Sequence, residues 1–157
     1  MTCTYEFATP AYDCAVDLRH RVLRLPLGRD IADDPLAEEY DDTHVGAFHG
    51  GTLVGTACLR TDAEGDLKMR QVAVEPSCAG RGVGRALVMA CEEIARRRGA
   101  RRLYCHARDA AQGFYAACGW VVEGEGFVEV GIPHHRMSAP TARLRAPGEA
   151  EAGLHGG

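Results

Sequence analysis

Hydrophobic positions recur along the chain with the periods of strands and helices. Residues 4–7 predict a first short strand. Residues 12–25 carry apolar side chains at helical spacing, and Pro26 ends this pattern. The acidic, proline-containing stretch 30–42 predicts a solvated loop, and its alternative interpretation is an acidic rim that attracts a cationic acceptor.

The middle of the chain predicts an antiparallel meander of three strands. Strand-like runs at 44–49 and 53–60 flank Gly50-Gly51, a pair that is typical of a hairpin turn. A second turn leads into a third run at 67–74. These three runs are close in sequence, so we expect them to pair as neighbours in one sheet.

The second half of the chain predicts helices alternating with strands. Apolar residues over 83–98 recur at helical spacing, and Gly99 ends this helix. The elements that follow are a strand, a short helix and a final pair of strands, at residues 103–107, 109–118, 120–123 and 127–137. The composition near the end of the chain, rich in Ala, Gly, Pro and Arg, predicts one domain over residues 1–138 and a flexible tail over residues 139–157.

Composition and charge argue against several classes of protein. The 157 residues, 46% hydrophobic and 25% charged, are typical of one globular domain. A formal net charge of −4 argues against a nucleic-acid partner, because binding to phosphates needs a basic surface. The apolar runs are too short for a membrane span, and the N-terminus lacks the pattern of a secretory signal. We therefore expect a cytoplasmic protein without a membrane partner.

Cysteines and histidines do not predict a metal site. The seven cysteines are scattered and form no C-x-x-C pair, which is the spacing that zinc ligands usually show. His134 and His135 are adjacent in a predicted strand, so their side chains should point to opposite faces. We therefore expect no metal ion.

A glycine-rich segment between a predicted strand and a predicted helix has the chemistry of a phosphate site. Gly80, Gly82 and Gly84 let the backbone approach a ligand closely, and the free N–H groups of a helix N-terminus bind anionic oxygens. Arg81 and Arg85 add positive charge. A Walker loop spans six residues from its first to its last glycine and continues with a lysine, whereas Gly80 to Gly84 spans five and is followed by Arg85. The spacing also differs from the G-x-G-x-x-G pattern of Rossmann domains.

Two segments resemble signatures of the GNAT N-acetyltransferases. Residues 72–87 resemble the loop that binds the pyrophosphate of acetyl-CoA, and residues 111–120 resemble the A-x-x-F-Y-x-x-x-G-[FW] helix of that family. Further segments are similar to its ElaA-like branch: His106-Ala107, Phe127, Glu129, residues 131–137 and the Glu39-Tyr40-Asp41 patch. The resemblance implies an α+β fold, in which helices flank a mixed, mostly antiparallel central sheet, and acetyl-CoA as the cosubstrate.

The resemblance also implies a reaction and a role for individual residues. An acetyl group would pass directly from acetyl-CoA to a primary amine of a small molecule or peptide in a ternary complex. Tyr115 would protonate the leaving thiolate, and the Val72 N–H would stabilise the oxyanion. Phe114 would anchor the helix of Tyr115 in the core. The implied acetyl-CoA contacts are Val72, Ala73, Val74, Ala79, Gly80, Arg81, Gly82, Val83, Gly84, Arg85, Arg108 and Phe114.

Several questions stay open at the level of sequence. Ala79 stands where the family usually has Gln or Arg, and Arg108 stands where it has Gln or Asn. A non-catalytic regulatory module that binds acyl-CoA is therefore the alternative function. His134 is the favoured base for the amine, while His106, Glu129 and water are the other candidates. A homodimer is a further expectation, because members of the family are commonly dimers.

Overall fold

The computed structural model describes residues 1–145 and contains one seven-stranded sheet. The strands are β1 (Thr2–Tyr5), β2 (Thr43–His49), β3 (Thr52–Thr61), β4 (Leu67–Val74), β5 (Leu103–Arg108), β6 (Val121–Glu129) and β7 (Ile132–Ser138). Hydrogen bonds place them in the order β1-β2-β3-β4-β5-β7-β6. The α-helices are α1 (Pro10–Arg19), α2 (Val83–Arg97) and α3 (Gln112–Ala117). This arrangement confirms the predicted α+β class. No helix among the described residues is long and apolar enough to span a membrane.

Packing divides the chain into two compact units. The first unit contains Met1–Arg60 and Met69–Cys91, and the second contains Thr61–Lys68 and the chain from Glu92 onward. In the first unit, β1 pairs antiparallel with β2, and β2 pairs antiparallel with β3. The turn between β2 and β3 is formed by Gly50-Gly51, and both glycines are left-handed. The hairpin predicted from this glycine pair is therefore confirmed.

The first helix is shorter and less regular than the sequence predicts. Thr9 caps α1 by accepting the Tyr12 N–H at 3.3 Å. The α-helix ends at Arg19, and the chain continues as a π-helical turn over His20–Arg24, which the apolar spacing does not distinguish from an α-helix. A left-handed glycine then ends the helical segment, with φ of 67° at Gly28.

The acidic stretch is partly exposed and partly bound to arginines. It contains two short 3₁₀ helices, Ile31–Asp33 and Leu36–Asp41. Three of its carboxylates pair with arginines: Asp34 with Arg24 at 2.6 Å, Glu39 with Arg19 at 2.7 Å, and Asp42 with Arg60 at 2.8 Å. The other carboxylates of the stretch are exposed: Asp30, Asp33, Glu38 and Asp41. The solvated loop is therefore wrong at the three paired residues, and the acidic rim stays a prediction for the exposed ones.

The pair of Arg19 and Glu39 is buried in the first unit. Arg19 is 1% exposed and Glu39 is 4% exposed. Arg19 NH1 and NH2 donate to Glu39 Oε1 and Oε2 at 2.8 and 2.7 Å, and the Tyr12 hydroxyl donates to Oε1 at 2.9 Å. Burial raises the pKa of Glu39, but the hydrogen bonds and charge of Arg19 more than reverse this effect. The pKa is therefore below its usual value, and Glu39 is ionised at neutral pH.

A glycine in β3 sets the position of α2. A Cβ atom on Gly55 would lie 2.8 Å from Val83 Cγ1 and 2.9 Å from Leu87 Cδ1, closer than real contacts allow. Leu87 is fully buried. The first turn of α2 therefore approaches β3 at a distance that only glycine permits.

The second unit extends beyond the predicted domain boundary. Residues Thr141–Leu144 form a 3₁₀ helix in which Leu144 is buried. Arg143 NH1 donates to the Cys118 carbonyl at 2.5 Å and lies 3.3 Å from Glu92 Oε1. The predicted flexible tail is wrong for residues 139–145, because a buried leucine and this arginine hold them in place. The rest of that prediction, residues 146–157, lies outside the described residues.

Replacing Glu39 with glutamine should destabilise the protein by about 3–5 kcal/mol, because the Arg19 guanidinium would remain buried without its anion. Chemical unfolding measures this change in the free energy of unfolding. The double variant Arg19→Met/Glu39→Leu should recover most of the loss, since no isolated charge is left. Glu93→Gln, which removes an exposed carboxylate beside Arg96, is the control and should change stability much less.

The pH dependence of this difference provides a second check. The pKa of Glu39 is lowered by folding, so its contribution is present at neutral pH and is lost as the pH falls through the pKa of the folded state. The difference in the free energy of unfolding between wild type and Glu39→Gln should therefore become smaller in acid. A constant gap across this pH range would contradict the assignment of the loss to the ion pair.

Candidate functional site

The glycine-rich segment forms a tight turn ahead of α2. A 3₁₀ turn over Pro76–Cys78 is followed by Gly80 with φ of 76° and Gly82 with φ of 81°, and α2 begins at Val83. A Cβ atom on either glycine would meet no atom within 4 Å. Glycine is therefore required here by the left-handed backbone and not by crowding.

The turn determines which N–H groups it leaves for a ligand. The Ala79 N–H donates to the Pro76 carbonyl at 3.1 Å, and the Arg81 N–H donates to the Cys78 carbonyl at 3.3 Å. The Ala79 N–H is therefore already bonded within the turn, and the implied contact of Ala79 with acetyl-CoA stays a prediction. A helix leaves its first N–H groups without intrahelical acceptors. These groups belong to Val83, Gly84 and Arg85, because the first helical bond of α2 runs from the Ala86 N–H to the Gly82 carbonyl, at 3.0 Å.

The end of β4 presents the three residues implied to hold the thioester. Ala73 is buried, and Val72 and Val74 are half-buried. The next residue, Glu75, donates its N–H to the Val54 carbonyl at 2.8 Å, which fixes the end of the strand within the first unit. Gln71, the residue before Val72, has a left-handed backbone with φ of 57°.

Of the two aromatic residues of α3, Tyr115 is buried and Phe114 is exposed, although Phe114 is expected in the core. Tyr115 is 7% exposed, and its ring centroid lies 5.5 Å from that of Trp120. Phe114 is 39% exposed, so the expectation that it anchors α3 in the core is wrong. Tyr115 takes the buried position instead, because Trp120 packs on that side of the helix. Exposure leaves the Phe114 ring accessible to a ligand.

A buried cysteine lies beside the Tyr115 side chain. Tyr115 forms a side-chain hydrogen bond with Cys105, a buried residue of β5. Burial raises the pKa of the Cys105 thiol to about 12, so the thiol is neutral at physiological pH. The sequence does not predict this contact, because it joins residues on two different elements.

Three candidate bases form one cluster in the second unit. His134 is 4% exposed, with Nδ1 2.7 Å from the Ile132 carbonyl oxygen and Nε2 3.7 Å from Glu129 Oε2. His106 Nδ1 lies 3.1 Å from Glu129 Oε1. A carbonyl only accepts, so His134 carries its proton on Nδ1 when neutral, and Nε2 is left as the basic nitrogen.

Strand register explains why this cluster forms. His134 of β7 is opposite Arg108 of β5 and opposite Phe127 of β6. Opposed residues of antiparallel strands project to the same face, and His106 shares that face because it precedes Arg108 by two positions. The Phe127 ring packs 4.9 Å from His106 and 5.9 Å from His134.

Charges in this cluster are arranged around an anionic carboxylate. Burial raises the pKa of Glu129, but the hydrogen bond from His106 and the charge of Lys68 contribute to a net lowering. Burial lowers the pKa of His106, and Glu129 offsets part of this shift. Glu129 is therefore ionised at neutral pH and is available to stabilise a positive charge on either imidazole.

The second histidine of the pair lies in different surroundings. His135 Nδ1 is 2.8 Å from Asp109 Oδ1 and 2.7 Å from Gln112 Nε2. The prediction that His134 and His135 point to opposite faces is confirmed by these separate partners.

One buried group has the spacing of metal ligands but already has other partners. Ligand atoms of Glu39, His44 and Cys58 lie within 4.8 Å of one another. The Glu39 carboxylate binds Arg19, and burial raises the pKa of the Cys58 thiol to about 12. A protonated thiol and a carboxylate paired with a guanidinium suit a hydrogen-bonded network better than a cation.

Comparison with known proteins decides the family. A family model described as the acetyltransferase (GNAT) family matches residues 10–120. The chain belongs to this family. Among curated relatives, the uncharacterized N-acetyltransferase YitI of Bacillus subtilis (strain 168) is 27% identical over 146 residues, which cover 88% of this chain and 97% of YitI.

Solved structures show the same fold at low sequence identity. Escherichia coli ElaA has a TM-score of 0.74 and 20% identity, with 89% of this chain and 99% of ElaA covered. An aminoglycoside 6′-N-acetyltransferase complexed with coenzyme A has a TM-score of 0.73 and 17% identity, with 90% and 97% covered. The predicted GNAT fold and enzyme class are confirmed: the chain is an acyltransferase with an acyl-CoA cosubstrate.

Gly82→Ala should weaken acetyl-CoA binding about tenfold, because a left-handed alanine costs of order 1–3 kcal/mol and the turn would relax out of its conformation. Isothermal titration calorimetry measures the Kd. Gly99→Ala is the matched control, since Gly99 has φ of 66° and equally open surroundings but follows the end of α2. It should lower the unfolding temperature without changing the Kd. Equal effects of both variants on the Kd would contradict a specific role of the turn.

Proposed function

We propose that this GNAT enzyme transfers an acetyl group from acetyl-CoA to a primary amine of a small molecule or peptide, by direct attack in a ternary complex. The observation that carries the proposal is the turn with two left-handed glycines ahead of α2. It leaves helix N–H groups without intrahelical acceptors beside Arg81 and Arg85, both exposed. Such a helix N-terminus suits a pyrophosphate.

Separate parts of the chain would bind the rest of the cosubstrate. The backbone groups of Val72–Val74 would bind the pantetheine arm, and the Val72 N–H would donate to the thioester oxygen as it becomes negative. One such donor typically lowers the barrier by about 3–4 kcal/mol. Arg108 and Phe114 are the remaining proposed contacts, and the exposure of Phe114 is consistent with this role.

Tyr115 would act as the general acid. When the bond between the carbonyl carbon and sulfur breaks, the thiolate would take the proton of the Tyr115 hydroxyl. The proton that the acceptor nitrogen loses as the amide forms would then restore this hydroxyl. Support comes from the burial of Tyr115, which keeps its hydroxyl away from bulk water.

His134 would act as the general base. The ammonium group of the acceptor would give a proton to Nε2, and the free amine would then attack the carbonyl carbon. The bond of Nδ1 to the Ile132 carbonyl fixes the tautomer that leaves Nε2 basic. Glu129, 3.7 Å from Nε2, would stabilise the imidazolium that forms, and His106 would keep Glu129 in place.

The acceptor is proposed only as a class. An amine arrives as a cation, and Glu129 is an anionic group within the proposed site. Asp34, Glu39 and Asp42 contribute less to attracting it, since each is paired with an arginine. The similar aminoglycoside N-acetyltransferase also modifies an amine, which is consistent with this class. A cytoplasmic location and a homodimer stay predictions.

The activity is tested by release of free CoA across a panel of polyamines, aminoglycosides, amino acids and peptides. Wild type should release CoA with at least one amine, and Tyr115→Phe should lower kcat about a hundredfold or more, with less than about a threefold change in the acetyl-CoA Kd. Tyr104→Phe is the matched control, because it also removes a buried tyrosine hydroxyl, one that bonds to Asp62 Oδ2 at 2.7 Å. Equal losses in both variants would indicate a packing role for Tyr115.

The base is tested by pH dependence. For wild type, kcat/KM should rise with pH as an imidazole loses its proton, and His134→Gln should lower kcat/KM about a hundredfold and remove this rise. His135→Gln is the control, since His135 contacts Asp109 and Gln112 instead of Glu129. It should keep both the activity and the pH profile. An unchanged profile in His134→Gln would favour water as the base.

A further inference from the structure

The segment Val72–Val74 follows a residue with an unusual backbone. Gln71 has φ of 57° although it lies inside strand β4. This left-handed conformation is unfavourable for residues other than glycine. The other described non-glycine residues with positive φ, Ala8 and Val130, lie between elements. A strained residue inside a strand persists only when its surroundings hold it.

The side chain of Arg24 holds Gln71. Arg24 NH2 donates to Gln71 Oε1 at 3.0 Å. Asp34 fixes Arg24 in turn, by accepting from Nε at 3.0 Å and from NH2 at 2.6 Å, and NH1 donates to the Leu23 carbonyl at 3.3 Å. All three guanidinium nitrogens are engaged, and the Arg24 side chain is only 15% exposed. Arg24 is therefore a rigid anchor for the Gln71 amide.

The helical irregularity places this arginine. Arg24 belongs to the π-helical turn His20–Arg24, and such turns within helices are frequent at functional sites. From the same turn, Arg21 NH1 and NH2 donate to the Glu75 carboxylate, each at 3.0 Å. The π-helical turn therefore binds the chain on both sides of Val72–Val74.

We propose that Arg24 is a positioning residue for acetyl transfer, because it fixes the left-handed conformation of Gln71 and with it the direction of the Val72 N–H. The peptide unit between residues 71 and 72 is planar, so the backbone angles of Gln71 set where that N–H points. An oxyanion donor acts only when it is aimed at the developing charge. The inference rests on the proposed function, which assigns this donor to Val72.

The test is a double-mutant cycle of Arg24→Met and Gln71→Gly, measured by kcat and by the acetyl-CoA Kd. Arg24→Met alone should lower kcat about tenfold or more, with less than about a threefold change in the Kd, because only alignment in the transition state is lost. In the Gln71→Gly background the same change should lower kcat by less than about threefold, since glycine adopts positive φ unaided. This rescue is not expected of a residue that only stabilises the fold.

Arg60→Met is the matched control. Arg60 also binds an aspartate through Nε and NH2, at 2.8 and 2.9 Å from Asp42, and its NH2 also donates to the Glu38 carbonyl at 3.4 Å. It should lower the unfolding temperature without lowering kcat. An Arg24→Met enzyme with the kcat of Arg60→Met, or an equal loss in both Gln71 backgrounds, would overturn the inference and leave the proposed function intact. A wild-type enzyme that releases no CoA with any amine would overturn both.

Discussion

The buried ion pair of Arg19 and Glu39 is the constraint on which the first unit depends. Neither charge is stable alone in a site with almost no exposure, but together with the Tyr12 hydroxyl they satisfy one another. The pair ties the last residue of α1 to the segment ahead of β2. The π-helical turn starts at the next residue, so the pair also fixes the base from which Arg21 and Arg24 reach β4. The ion pair that stabilises the fold therefore also supports the π-helical turn that contacts the proposed site.

Net charge does not describe where charges act in this protein. Carboxylates dominate by number, but three of those in the acidic stretch are bound to arginines and hold backbone segments together. Glu129 differs because its neighbours are imidazoles, whose charge changes with protonation. A carboxylate beside a guanidinium keeps its ion pair throughout a reaction. A carboxylate beside an imidazole can respond when a proton arrives, which the proposed role of Glu129 requires.

The sequence predicts the elements that are determined by residues close together in the chain. It does not predict contacts between residues that are far apart in sequence. The helix from Val83 and the strands around Gly50-Gly51 follow from periodicity and turn residues, and the structure confirms them. The cluster of His106, Glu129 and His134 depends on the pairing of β6 with β7, which has an irregular register that no spacing rule predicts. The burial of Tyr115 in place of Phe114 has the same origin, because Trp120 decides which side of α3 is covered.

The two parts of the proposed acetyl-CoA site in the first unit are encoded in different ways. The turn at Gly80 and Gly82 carries its conformation in its own residues, since glycine adopts positive φ without help. Gln71 breaks the local rule and obtains its conformation from Arg24, which is 47 positions away in sequence. Violations of local rules are expected at functional sites, where the surrounding structure must supply what the residue does not. The conformation of the turn at Gly80 and Gly82 should therefore tolerate changes elsewhere in the chain. The segment Val72–Val74 should instead be sensitive to residues that never touch the substrate.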